Sequence, residues 1–249
     1  MQRYFVDQEC WNNDTLYVSG EDTHHIVRVM RMREGDNLVA IHPEKGPALC
    51  EITKVAQDDV HCIVVKWMEE DRELPVHVTI VASLGKGDKL EQIVQKGTEL
   101  GASAFIPYQA ARSVAKWDNK KAVKKIERLQ KISKEASEQS ERTVVPEVQS
   151  VHSLQQLLEI KTHYDHCFFG YADEARHQKS ELLSEAFKPL KRGETVLVAF
   201  GPEGGFSESE VEKLSNEGFK SIRLGPRILR METAPLYFLS SLSYMLEEF

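Results

Sequence analysis

The 249-residue chain has no apolar run approaching the roughly 20 residues that a bilayer crossing requires, which excludes a helical membrane span. Its first residues, MQRYFVDQECWNND, lack the basic-then-apolar pattern of a secretory signal, so the expected compartment is the cytoplasm. Only four cysteines occur (Cys10, Cys50, Cys62 and Cys167), none in a Cys-x-x-Cys pair, which disfavours a disulfide scaffold and a cysteine-rich zinc site. The histidines offer no metal-ligand spacing with carboxylates, so no metal is expected. The P-loop pattern is missing, as is the Gly-x-Ser-x-Gly nucleophile motif. Leu84-Gly85-Lys86-Gly87-Asp88 invites a dinucleotide-binding reading, but the third glycine of that fingerprint would fall at Leu90. Basic residues are in deficit too: 32 Lys and Arg face 39 Asp and Glu, a net charge of −7. Taken over the whole chain, that balance argues against a polyanionic partner.

With 41% hydrophobic and 29% charged residues, the chain has the composition of a soluble globular protein with room for one or two domains. The acidity is concentrated. Residues 1–72 carry 8 basic and 14 acidic residues, whereas 73–249 are nearly balanced at 24 and 25. The polar run Glu69–Glu73, followed by Leu74-Pro75, reads as a linker between the two parts. In the first part, β-rich runs at Leu38–Ile41, Ala48–Thr53 and Val60–Val65 alternate with turn signals, which predicts a small barrel. The second part alternates strand-like and helix-like segments. Strands are predicted at Val76–Ser83, Ala104–Pro107, His166–Gly170, Thr195–Phe200 and Ser221–Leu224. Helices are predicted at Lys89–Leu100, at Lys120–Glu141 with Val123, Ile126, Leu129, Ile132 and Ala136 inward, after the capping box Ser207–Glu210, and at Pro235–Glu248. The fold class is therefore α/β with a mostly parallel sheet, whose ligands bind beyond the carboxyl ends of the strands.

Three segments carry candidate chemistry. Gly201-Pro202-Glu203-Gly204-Gly205-Phe206-Ser207 brings backbone close to a ligand, and the Glu203 carboxylate disfavours a phosphate in favour of a neutral or cationic group. Leu224–Pro235 places Arg227, Arg230, Glu232 and Thr233 at a strand-to-helix junction. Thr233 can cap the following helix, but capping leaves the two arginines and the glutamate unexplained. From Arg112 to Lys134, nine basic residues face two acidic ones. That segment is either a solvated helix face or the footprint of a polyanion, with Trp117 as a stacking group. A smaller basic patch, His24–Arg33, contains Arg28 and Arg31.

In combination, HHIVRVMRMREGD, KGDKLEQIVQKGTELGASAFIPYQAARSV, EASEQSERTVVPEV, GPEGGFSESEV and LGPRILRMETAP resemble the RsmE family of ribosomal RNA uridine methyltransferases, within the SPOUT (knotted) superfamily. The match runs in order from residue 24 to 235, and Met231 reads as a variable position. The resemblance implies a PUA-like RNA-binding barrel over 1–72 and a methyltransferase domain with a trefoil knot over 73–249. It further implies a homodimer that uses S-adenosylmethionine to methylate N3 of a uridine in small-subunit ribosomal RNA, free or in the assembled subunit. Carried onto this chain, the cofactor site comprises Phe169, Gly170, Gly201, Glu203, Gly204, Leu224, Gly225, Ile228, Leu229, Thr233 and Ala234. Arg230 is the candidate for stabilising the deprotonated uridine, and Glu232 either accepts the proton or orients that arginine. RNA contacts are expected at Arg28, Arg31, Arg112, Lys120, Lys121, Lys124 and Lys125. Transfer of the methyl group to another RNA, or RNA binding without turnover, remain as alternatives.

Overall fold

The computed structural model describes residues 1–171 and 181–249. They divide into two compact units: Met1–Glu73 with Ser137–Val144, and Leu74–Ala136 with Val145–Phe249. The segment Ser137–Val144 thus joins the first unit, although a linear division of the chain assigns it to residues 73–249.

The first unit is a six-stranded sheet. Its strands are β1 (Arg3–Phe5), β2 (Trp11–Asn12), β3 (Thr15–Ser19), β4 (Asn37–His42), β5 (Gly46–Val55) and β6 (Asp59–Trp67), in the order β1-β4-β5-β6-β3-β2. The Trp11 indole, on edge strand β2, donates at 3.1 Å to the carbonyl of Val6, just past edge strand β1. The inside of the sheet is filled by side chains that include Tyr4, Ile26, Leu38, Ile52 and Val60. Such side chains contribute about 1.5–3 kcal/mol each when fully buried. The polar run after β6 is not a solvated linker. Arg3 is only 4% exposed, and a buried guanidinium requires a counter-charge. Glu70 supplies it, accepting from Arg3 Nη2 at 2.9 Å while also pairing with Arg72. Glu73 likewise pairs with the buried Arg142 and accepts from Thr143 N at 3.0 Å.

The second unit is built on a seven-stranded, wholly parallel sheet. Its strands are β7 (His77–Ser83), β8 (Ala104–Tyr108), β9 (Glu147–Val148), β10 (His166–Gly170), β11 (Glu181–Leu182), β12 (Thr195–Phe200) and β13 (Lys220–Arg223), in the order β11-β13-β10-β12-β7-β8-β9. Beyond His77, every residue of β7 is buried, as expected for a β-branched run covered on both faces. Val78, Ile80 and Ala82 pack into one layer with Leu90, Ile93, Val94 and Phe238. Val81 faces the other layer with Ile106, Leu157, Phe169 and Phe206.

Helices Lys89–Glu99, Asn119–Gln139, Glu208–Asn216 and Thr233–Ser243 occupy the positions that hydrophobic spacing predicts, with ends shifted by a few residues. The Ser207–Glu210 capping box is formed. On Asn119–Gln139, Leu129 and Ala136 are buried and Ile126 and Ile132 pack against the core, but Val123, near the N-terminal end of the helix, is 56% exposed. Thr233 is the first helical residue rather than the cap. Glu232 occupies that position without a side-chain cap bond, and the carbonyl of Arg230 receives Thr233 N and Ala234 N at 2.9 and 3.0 Å.

Candidate active site

β7, β12, β10 and β13 are consecutive neighbours, so the loops leaving their carboxyl ends converge. Around them lies a cavity of about 560 Å³. The loop after β12 turns back at once: Gly205 N donates to Pro202 O at 2.8 Å, and a Cβ on Gly201 would lie 3.0 Å from Phe206 N. Only glycine permits that approach. After β13, Gly225 adopts φ +77°, turning Leu224–Met231 across the strand ends. That segment reaches the loop after β7, where a Cβ on Gly85 would lie 2.7 Å from Met231 Sδ. Met231 is 6% exposed, so this position is a packing contact rather than a freely variable one.

Of the expected cofactor residues, Gly170, Gly201, Glu203, Gly204, Leu224, Gly225, Ile228, Leu229 and Ala234 line the cavity. Phe169 does not. It is fully buried in the layer beneath, edge-on to Phe206 at 6.1 Å, because successive strand residues point to opposite faces. Thr233 is exposed and also lies outside the lining.

Two charged groups, Lys89 and Glu203, share the cavity lining, and the expected catalytic Glu232 lies outside it. Lys89 Nζ donates to Glu203 Oε1 at 2.8 Å and stands 3.7 Å from Glu232 Oε2. Burial works against ionised Glu203, but Lys89 and main-chain donors outweigh it and hold the carboxyl below its ordinary range. Glu203 is therefore a neutralised carboxylate, and its repulsion of anions is weaker than its isolated charge suggests. Glu232 Oε2 is buried and accepts no hydrogen bond among the described residues. Arg230 is exposed and lines the same cavity. An apolar wall (Phe200, Leu224, Ile228), glycine-lined backbone and a balanced charge pair suit a flat heterocycle and a group of low net charge.

Lys89 is not evident from the sequence, although its position directly after the β7 loop is where parallel sheets place ligands. Arg112, expected on RNA, is exposed and donates through Nη1 to Gly204 O and Phe206 O, both at 3.1 Å, and so props the glycine loop. On Asn119–Gln139, Lys120, Lys121 and Lys124 are exposed. Lys125 leans on Glu91 at 3.6 Å, beside the 2.7 Å pair of Arg128 with the same carboxylate. In the first unit Arg28 and Arg31 are exposed, next to the equally exposed Val29 and Met30.

The RNA methyltransferase domain family matches residues 72–243, and the RNA methyltransferase PUA domain family matches 18–65. Ribosomal RNA small subunit methyltransferase E of Bacillus subtilis (strain 168) is 50% identical over 99% of this chain and 98% of its own length. A crystal structure of the protein of that name from Neisseria gonorrhoeae, bound to S-adenosyl methionine, is 26% identical with a TM-score of 0.86, covering 100% of this chain and 99% of that one. The structure of a putative methyltransferase from Legionella pneumophila, in complex with the bound cofactor SAM, is 28% identical with a TM-score of 0.85 over 98% of this chain and 97% of that one.

Proposed function

The chain belongs to the RNA methyltransferase family that includes ribosomal RNA small subunit methyltransferase E, and from that premise we propose how its residues carry out the reaction. The protein is an S-adenosylmethionine-dependent methyltransferase acting on N3 of a uridine in 16S ribosomal RNA. The observation that carries this reading is the meeting of the β12 glycine loop and the Leu224–Met231 segment around one cavity, with Arg230 and Lys89 in its lining and Glu232 3.7 Å from the Lys89 ammonium.

When bound, the cofactor supplies an electrophilic methyl group. Main chain at Gly201–Gly205 and Leu224–Gly225 would hold it, with Phe200 and Ile228 against its heterocycle. N3 of uridine must lose a proton before it attacks. The Arg230 guanidinium stabilises the negative charge that develops on the pyrimidine. Glu232, whose Oε2 is buried without a donor, accepts the proton or aligns Arg230, and the Lys89 ammonium stands 3.7 Å from it. Lys120, Lys121 and Lys124, with Arg28 and Arg31 of the first unit, take RNA phosphates. The first unit serves as a PUA-type RNA-binding barrel. We further propose that the path of Leu224–Met231 to Gly85 is the threaded crossing of a trefoil knot, that the protein works as a homodimer, and that it acts in the cytoplasm.

The test is methylation of small ribosomal subunits from a strain lacking the corresponding gene, with labelled S-adenosylmethionine and mass mapping of the product. One N3-methyluridine in 16S RNA is expected. Label on another atom or base of that RNA, or none with cofactor bound, would refute the assignment.

A further inference from the structure

A second cavity, of about 390 Å³, lies near the first: a Cβ on Gly85, which lines it, would stand 2.7 Å from Sδ of Met231, which lines the first. The same two stretches of chain wall both. Lys89 and Arg112 line the first cavity, whereas Gly85–Gly87 with Leu90, and Val114–Trp117, line the second. Its floor includes Leu90 and Leu129, which belong to the hydrophobic core. Its rim is cationic, with Lys86, Lys116, Lys121 and Lys125. Glu91 is the sole carboxylate in the lining, and it is already engaged by Arg128 and Lys125. Among the described residues, Lys86, Lys116 and Lys121 form no ion pair. Trp117 is half-buried, with part of its indole packed on the core.

Ammonium groups gathered around one small cavity repel one another, and an anion relieves that repulsion. An inorganic anion alone gives the indole no role, and an apolar ligand gives the lysines none. A concave surface that joins cations to an aromatic face matches a nucleotide, which has a phosphate and a stackable base. We propose that this cavity is an RNA subsite holding one nucleotide of the substrate strand, its phosphate on Lys86, Lys116 and Lys121 and its base on Trp117. The inference rests on the RNA methyltransferase reading, and the close approach of Gly85 to Met231 makes this nucleotide a close neighbour of the one that enters the first cavity.

The test uses the full chain with S-adenosylmethionine and a fluorescently labelled single-stranded RNA octamer, its affinity read by anisotropy over a salt series. Lys86→Ala/Lys116→Ala should weaken binding about tenfold or more, and lower the salt slope by roughly 0.7 for each phosphate no longer neutralised. Trp117→Ala should weaken it about 5- to 100-fold, and Trp117→Phe should retain most of the affinity. Should Trp117→Ala fail to fold, the lysine pair and Trp117→Phe still decide the matter. Cofactor affinity should be unchanged throughout. The control is Lys96→Ala/Lys188→Ala, an equal charge change at lysines paired with Glu99 and Glu185. Affinity and salt slope equal to the control's overturn the subsite, as does absence of octamer binding by the wild-type protein. Intact binding differences without ribosomal RNA methylation support the subsite and overturn the proposed reaction instead.

Discussion

The ammonium of Lys89 meets the carboxylate of Glu203 at 2.8 Å, across 114 residues of chain. The same nitrogen faces Glu232 at 3.7 Å, so one cation ties together the loops that follow β7, β12 and β13. Its bond to Glu203 holds the Lys89 pKa above the ordinary lysine value, and Glu203 lies below the ordinary 4.5. A carboxyl depressed on folding contributes stability that is present above its unfolded pKa and lost as pH falls through the folded one. Lys89→Met should therefore flatten the dependence of Tm on pH below about 4.5. Its cost near pH 7 should be at most about 1 kcal/mol, because both partners are partly solvated. Turnover should fall further, about tenfold or more, since Glu232 loses its nearest cation. Thermal scans from pH 3 to 7 with parallel kcat measurements check this, and an unchanged acid limb with normal kcat would leave the pair without a role.

Arg230 lines the cavity, and among the described residues its guanidinium makes no hydrogen bond or ion pair that holds the fold; only its carbonyl caps the last helix. Removing the side chain should therefore spare folding. Arg230→Ala is expected to lower kcat by about 10²–10³, the usual effect of deleting one charge-stabilising donor. Calorimetry should find cofactor affinity within about twofold of wild type. A point charge lacks the planar fork, so Arg230→Lys should recover only part of the rate. Near-normal turnover in Arg230→Ala would transfer the role to another cation.

Lys124 and Lys125 are adjacent, yet the fold treats them differently. Lys124 is exposed, whereas Lys125 is half-buried against Glu91. Lys124→Glu should weaken RNA binding and reduce its salt slope with stability within about 0.5 kcal/mol of wild type. Lys125→Glu sets two carboxylates side by side and should lower Tm as well. Equal effects of both substitutions on Tm and on RNA affinity would contradict the distinction.

Which features are legible in the sequence depends on how far apart the cooperating residues lie. The strands of the parallel sheet announce themselves because burial on both faces demands continuous β-branched runs, as in Val78–Ala82. The glycine loop and Leu224–Ala234 are each contiguous, so their place at the cavity is readable without the fold. Lys89 is not, because its partners lie 114 residues away and beyond. Phe169 and Thr233 fail as cavity residues for a local reason. A motif marks a stretch of chain, but strand alternation and the exact start of a helix decide which of its side chains turn inward. The attachment of Ser137–Val144 to the first unit is equally hidden, since the helical pattern runs unbroken into it and only the buried Arg142 marks the change.

Glu210 is the strongest test of how the active-site loop is held. It is 4% exposed, yet it accepts from Tyr108 Oη at 2.5 Å, Ala111 N at 2.9 Å, and Ser207 N and Oγ at 2.8 Å each. Burial alone would raise its pKa, but these four donors prevail and hold the carboxyl below its ordinary value. Burial, together with the same bond, pushes the Tyr108 hydroxyl far above the usual tyrosine range. Glu210→Gln replaces one acceptor oxygen by an amide that points donors at donors, at either Tyr108 and Ala111 or Ser207. A cost of about 2–4 kcal/mol is expected, from the unsatisfied groups and the lost charge-assisted bonds. By the same sign rule as for Glu203, the wild-type contribution is complete above pH 4.5 and lost as pH falls below it, so the difference in Tm between wild type and variant should shrink on acidification. The carboxylate anchors Ser207 at one end of the glycine loop, while Arg112 grips Gly204 and Phe206 within it. Cofactor affinity should therefore fall along with Tm. A variant that lost stability while binding cofactor normally would show that the loop holds its shape through Arg112 alone.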